Sequence, residues 1–153
     1  GLPVRDDFAA KGFTMNKHQS LDRFNRMVPG TLMETLGISY TDFGEGFLEA
    51  TMPVDARHLQ PMRILHGGAT AALAESVASA ASAAELDGTG RYPVGLDLGI
   101  NHLRSVSDGV LTARAEAVHL GRSTHLWQIR ITDDQGRLTA LAKLTLMVLA
   151  PSG

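Results

Sequence analysis

Residues 65–86, LHGGATAALAESVASAASAAEL, constrain this chain more than any other stretch. A His-Gly-Gly turn opens about twenty residues free of proline and internal glycine, which predicts one helix roughly 30 Å long. Leu73, Val77, Ala80 and Ala84 recur at i, i+4, i+7 and i+11 and make a face fit for burial. On a second face Glu75, Ser79 and Ser82 follow one another at i+4 and i+7, flanked by alanines that offer a charge almost no shielding. A carboxylate on so small-sided a helix is either wasted or used.

The segments around this helix read as follows. Residues 1–14 precede the first methionine and are set aside as a tag or disordered leader, leaving 15–153 as a single domain. A short helix is expected from Ser20, with Ser20 as its cap and Leu21, Phe24 and Met27 on one side, ended by Pro29 and Gly30. A further helical turn over 31–36 stops at Gly37. Then the period changes to two: segments 37–43 and 47–54 flank Gly44-Glu45-Gly46 and predict a hairpin. Beyond the helix, which Gly88 and Gly90 stop, strands are expected over 92–104, 110–120, a run through Trp127, Ile129 and Ile131, and 137–149. In the first of these, Val94, Leu96, Leu98 and Ile100 are assigned to one face, continued by His102, and Gly95, Asp97, Gly99 and Asn101 to the other.

Two strands, one long helix and four strands do not alternate as βαβ units do. They describe an α+β fold, one antiparallel sheet with a helix along one face. The helix's outer side, carrying alanines and Glu75, then calls for a second copy of the chain as its cover. A net charge of −2 and 44% hydrophobic residues argue against nucleic acid or an anionic membrane as the main partner, and no run reaches the length of a membrane span. The chain has no cysteine, which excludes disulfides, zinc-thiolate sites and a cysteine nucleophile; cytoplasm is the expected location.

Gly67 and Gly68 leave the first backbone N–H groups of the helix bare, and such an end can polarise a carbonyl or hold an oxyanion. Paired glycines also simply turn a chain into a helix. Glu75 lies eight residues on, about 12 Å along the axis, so one substrate carbon cannot meet both groups within one chain. Antiparallel pairing of two helices would bring Gly67 of one copy beside Glu75 of the other, and an enzyme using both is at least a dimer. The alternative for Glu75 is a solvated or arginine-paired side chain. Ser79 can hold a water or the carboxylate, or serve helix packing. His66 can act as a base, but a structural role in the turn is favoured; His102, on an apolar face, reads by default as a core histidine. Gln60 precedes the helix without a motif of its own. The loop holding Arg122, Ser123 and Thr124 suits phosphate oxygens, with a solvated turn as the plainer reading, and Arg63, Arg91 and Arg104 are other candidates. No HExxH, GxSxG, P-loop or GxGxxG pattern is present, and no metal site is expected.

Taken together, LEATMPVDARHLQP, ILHGGATAALAES, GINHLRS and HLGRSTHLWQIRITDDQGR resemble the hotdog-fold acyl-CoA thioesterases of the phenylacetate-degradation type, closest to those of menaquinone and enterobactin synthesis. The resemblance covers about residues 20–149. It implies an antiparallel sheet wrapped around one long central helix, dimers that pair into homotetramers, sites at the dimer interface, an acyl-CoA substrate with an aromatic or bulky acyl group, and no cofactor. By resemblance Glu75 matches the catalytic carboxylate and Gly67 the N–H that polarises the thioester carbonyl from the opposing subunit. Gln60, His66, Ser79 and His102 match site residues. The acyl-pocket position after Ser79 is only Ala80, and Ala83 and Ala84 stand where relatives carry bulkier residues. Two other classes compete: hydration or dehydration of an acyl thioester on a related fold, whose His and acid motifs are missing, and a non-catalytic acyl-CoA-binding module, which has no need of a carboxylate aimed at the thioester.

Overall fold

Two short helices, α1 (Lys17–Asn25) and α2 (Leu32–Leu36), lead the residues described by the computed structural model, 17–152. The leader assigned to 1–14 lies outside them. Ser20 does not cap α1: the helix already runs at Lys17, and Ser20 sits within it, buried. Phe24 is buried against Tyr40, with ring centroids 5.5 Å apart, while Met27 lies past the helix end and is exposed. Helix α2 ends as expected at Gly37, whose φ of 74° suits glycine. There Gly37 N–H donates to Glu34 O and Ile38 N–H to Met33 O, closing the last turn.

The hairpin follows, β1 (Ser39–Gly44) and β2 (Phe47–Pro53), and after a 3₁₀ turn at Ala56–His58 comes α3 (Gly67–Glu85). Four strands complete the described chain: β3 (Tyr92–His102), β4 (Val110–Leu120), β5 (Thr124–Thr132) and β6 (Leu138–Leu149). All pairings are antiparallel, in the order β1-β2-β4-β5-β6-β3. The chain leaves β2 near one edge and must reach β3 at the other, so α3 is carried across one face of the sheet.

Burial explains why α3 stays there. Leu73, Ala74, Val77, Ala78 and Ala81 are buried against the inward positions of the sheet, among them Leu48, Met52, Leu111, Trp127, Ile129 and Leu144. Each large side chain fully buried in this way contributes about 1.5–3 kcal/mol. Ala113, Ala115, Ala140 and Ala142 lie among the large ones and are also buried, which lets an alanine-sided helix settle close to the strands.

The phase expected for β3 holds for only half of the strand. Its ladder with β6 shifts between Gly95 and Asp97, so Leu96 is an extra residue and the faces exchange there. Leu98 opposite Leu144 and Ile100 opposite Ala142 pack on the core, but Val94 lies opposite exposed Met147, and Val94 and Leu96 are 44% and 60% exposed. Gly95 comes opposite buried Leu146, on the helix side of the strand, and is itself exposed at this edge.

A polar cluster is buried beneath the helix. Ser82 Oγ accepts from Trp127 Nε1–H at 2.6 Å and lies 2.9 Å from His125 Nδ1. With the imidazole neutral, the serine hydroxyl donates to Nδ1 and all three groups are satisfied. Burial, then the nearby charges of Arg91 and His119, hold the His125 pKa below its usual value. The unfolded chain therefore binds a proton that the fold refuses. His125 contributes stability that is fully present above the ordinary histidine pKa of about 6.5 and is lost as pH falls below it. Unfolding free energy measured in urea should decline from pH 7 to 5, and His125→Gln should flatten that slope by up to about 1.4 kcal/mol per pH unit. Parallel slopes for the two proteins would show that His125 does not titrate across unfolding.

Candidate active site

The loop before α3 is held from both ends by His58. This side chain is buried, with Nε2 donating to Leu36 O at 2.7 Å and Nδ1 accepting from Asp55 N–H at 3.2 Å. Its backbone carbonyl receives His66 N–H at 2.8 Å. Between them Gln60 starts a tight turn: Gln60 N–H donates to Ile64 O, Arg63 N–H to Gln60 O, and the Gln60 side-chain oxygen accepts from Met62 N–H. Gln60 is half-buried within that turn.

His66 occupies the N-cap of α3, and its Nδ1 accepts from Gly68 N–H at 2.7 Å. The structural role favoured from sequence is thus present. A neutral ring bonded this way carries its proton on Nε2, leaving that N–H as a free-facing donor. Gly68 must be bare, because a Cβ there would lie 2.8 Å from the His66 ring. Gly67, the first helical residue, has an N–H without a partner among the described residues.

His102 is not a core residue. It ends β3 at the sheet's edge, opposite Ala140, where the glycine turn faces it, and it is exposed. A Cβ on Gly67 would lie 2.9 Å from His102 Nε2, which puts the imidazole directly against the start of α3. Gly67 and His102 share a cavity of about 360 Å³ with Thr70, Arg104, Ser105 and Val106. Of the last four, only Arg104 is singled out by sequence alone; Val106 is held there by its carbonyl, which accepts from Leu65 N–H at 2.7 Å, a pairing that has no motif.

Glu75 stands further along the same seam between α3 and β3. It is exposed, and its carboxylate makes no hydrogen bond or ion pair among the described residues, so the arginine-paired alternative does not hold. Its Oε1 lies over Gly95, 2.7 Å from where a Cβ would be. Ser79 follows one turn later and is half-buried, and Ala80 is buried. Ala80, Ala83 and Ala84 meet Phe24 and Met27 of the α1 segment around a pocket of about 150 Å³. Arg23 closes it with a two-pronged ion pair to Asp87 at 2.9 and 3.1 Å.

Arg122, Ser123 and Thr124 lie apart from the Gly67 cavity. Their loop joins β4 to β5 at the other end of α3, where Arg122 O accepts from Arg91 Nη1 at 3.0 Å and Ser123 O from Val148 N–H at 2.8 Å. Through His125 it adjoins Ser82, which is about 10 Å along the helix from Glu75 but about 22 Å from Gly67. One chain therefore holds two separated stations: a helix N-terminal donor with two imidazoles, and an unpaired carboxylate about 12 Å along the axis.

The His66 cap gives a stability test. His66→Ala removes the acceptor for Gly68 N–H and should cost about 1 kcal/mol in urea unfolding, whereas His66→Asn, which can cap, should recover most of it. Equal stability of all three proteins would mean that the ring does not hold the turn.

The model of the thioesterase superfamily matches residues 62–140. Proofreading thioesterase EntH of Cronobacter turicensis is 43% identical over 133 residues, which span 87% of this chain and 96% of that protein. Among solved structures, a thioesterase from Haemophilus influenzae superposes with a TM-score of 0.82 at 43% identity, covering 85% of this chain and 90% of that one. A Staphylococcus aureus thioesterase, solved as a glutamate-to-alanine and as a glutamine-to-alanine mutant, superposes with a TM-score of 0.75 at 39% and 38% identity, covering 78% of this chain and 98% of that one. Its two replaced positions are fifteen residues apart. The six-stranded antiparallel sheet around one long helix is the fold of these neighbours. The chain belongs to the thioesterase superfamily, with its hotdog fold, and is a thioester hydrolase.

Proposed function

We propose that this hydrolase cleaves acyl-CoA thioesters with an aromatic or otherwise bulky acyl group, releasing the free acid and CoA at sites shared by two copies of the chain. The observation that carries the proposal is the pair of unpartnered groups on one helix: the Gly67 N–H and the Glu75 carboxylate, about 12 Å apart. Antiparallel apposition of two α3 helices brings each donor to the other copy's carboxylate. The edge strand β3 supports such pairing, because its outer backbone is unpaired among the described residues and Tyr92, Val94 and Leu96 are exposed along it. Two such dimers form the homotetramer.

In the reaction the Gly67 N–H, at the positive end of the helix dipole, polarises the thioester carbonyl and holds the oxyanion. Glu75 of the other copy either takes a proton from a water that attacks the carbonyl carbon, or attacks it directly to form a mixed anhydride that water then opens. In both routes the C–S bond breaks and the CoA sulfur departs as a thiolate, a weak base that needs no strong acid. Gln60, His66 and His102 line the carbonyl end, with the His66 Nε2–H available as a donor. Ser79 holds the water or the carboxylate. Gln60 and Glu75 are fifteen residues apart, the interval of the two positions replaced in the Staphylococcus aureus enzyme, which supports a place for both in the site.

Ala80 borders the acyl group. Arg122, Ser123 and Thr124 take the CoA phosphates, on the side of the helix that carries Glu75. The reaction belongs in the cytoplasm, where CoA thioesters are made and used. Among the described residues no helix is long and apolar enough to cross a membrane.

Glu75→Gln tests the proposal, since it replaces an exposed, unpartnered carboxylate by an isosteric amide. Thiol release from aromatic, branched and straight-chain acyl-CoAs should fall at least 100-fold, with oligomeric state and Tm unchanged. Near wild-type kcat in the folded variant would remove Glu75 from the chemistry.

A further inference from the structure

We infer that Gly95, in strand β3, is a positioning residue: its bare α-carbon is the space that sets the Glu75 carboxylate in its working place. The inference rests on the reading of Glu75 given above.

Glycine in the middle of a strand loosens it and offers nothing to pack, so its presence asks for a cause. Backbone conformation is not that cause. The φ of Gly95 is not in the left-handed region, so an L side chain can adopt it. The adjacent bulge does not require it either, since the bulge type that needs glycine uses the left-handed region. What Gly95 does face is the helix. Itself exposed at the sheet's edge, it lies opposite buried Leu146, and Glu75 Oε1 occupies the place a side chain would take, 2.7 Å from an ideal Cβ, with the carboxyl carbon at 3.6 Å. Among the described residues no other heavy atom outside its neighbours comes within 4 Å of that point. The carboxylate is thus laid against the strand by the missing side chain, and no hydrogen bond holds it.

An alanine at 95 would push the carboxylate from 2.7 Å to the ordinary contact distance of at least 3.4 Å, a retreat of about 0.7 Å. Displacements near 1 Å cost on the order of 100-fold in rate when a reacting group must meet a carbon at a set distance. The strand itself should tolerate the change, because alanine at a compatible position reduces the freedom of the unfolded chain. Gly99 is a matched control in the same strand: its φ is likewise not positive, and a Cβ there meets nothing within 4 Å.

The experiment compares Gly95→Ala, Gly99→Ala and Glu75→Gln in the full chain, and repeats Gly95→Ala in a Glu75→Asp background, reading kcat, KM, Tm and oligomeric state with one acyl-CoA. Gly95→Ala should lose roughly 10- to 100-fold in kcat, with KM within about threefold and Tm equal or higher, while Gly99→Ala stays within about twofold of wild type. Next to the shorter aspartate, whose carboxylate stops short of position 95, the added methyl should cost much less than it does next to glutamate. A Gly95→Ala protein as fast as Gly99→Ala, with Glu75→Gln inactive, would overturn the inference and leave the Glu75 reading standing. A lowered Tm, or the same loss beside aspartate as beside glutamate, would assign glycine to the strand rather than to the carboxylate and overturn it too. Full turnover by Glu75→Gln would instead remove the reading on which the inference rests.

Discussion

Everything else in this molecule depends on the close seating of an alanine-sided helix on a six-stranded sheet. The chain leaves β2 and can re-enter the sheet only at the far edge, so α3 crosses the inner face from His66 to Leu86. Small residues on both surfaces bring helix and strands together, and the buried Leu73 and Val77 fix the helix's rotation. Once that rotation is set, Glu75 has no freedom of address. It emerges on the seam with β3, the edge strand, facing outward and unpaired. The same geometry sends the helix N-terminus to the end of β3, where His102 waits against Gly67.

Glycines make this seam usable. At Gly67 and Gly95 a side chain would occupy the space that His102 and Glu75 now fill, at 2.9 and 2.7 Å respectively. Gly68 clears the His66 ring in the same way, which allows Nδ1 to cap the helix while Nε2–H stays outward. Beneath the turn, His58 ties loop, α2 and helix start together through three hydrogen bonds from one buried residue. Glu75, His66 and His102 are exposed, while His58, which anchors the turn, is buried. Rigid support under exposed reactive groups is the usual requirement for a pre-organised site.

The long helix, the hairpin, the Gly37 stop and the alternation in β4 and β5 were legible because each rests on a local period or a local backbone demand. Leu111, Ala113 and Ala115 are buried on the face their spacing assigned them, as are Trp127, Ile129 and Ile131. The failures share a cause as well. Ser20 looked like a cap because serine favours that place, but nothing local showed that the helix had begun before it. The alternation of β3 was carried across Leu96, since a bulge is decided by pairing with β6 and leaves no mark in the strand's own pattern. His102 was assigned to the core by its face alone, and the glycine turn it meets at the sheet's edge depends on where α3 starts in space. Gly95 stood in the sequence as one more small residue on a polar face, and its contact with Glu75 exists only once the bulge has turned it to the helix side.

The central claim is that one site takes its carbonyl-polarising N–H from one copy and its carboxylate from another. It is tested most directly by mixing two inactive proteins, Glu75→Gln and Gly67→Pro. Proline deletes the N–H at a helix position whose backbone accepts it, after a His66 already extended at ψ 127°, and its Cβ also displaces His102 of the same chain, so that chain loses its carbonyl end while keeping its Glu75. Subunits are exchanged, the exchange is followed by native mass spectrometry, and thioester cleavage is measured before and after. A shared site predicts that each mixed dimer regains one intact site of its two, so random exchange should restore roughly a quarter of the wild-type rate. Complete exchange with no recovered activity would contradict it.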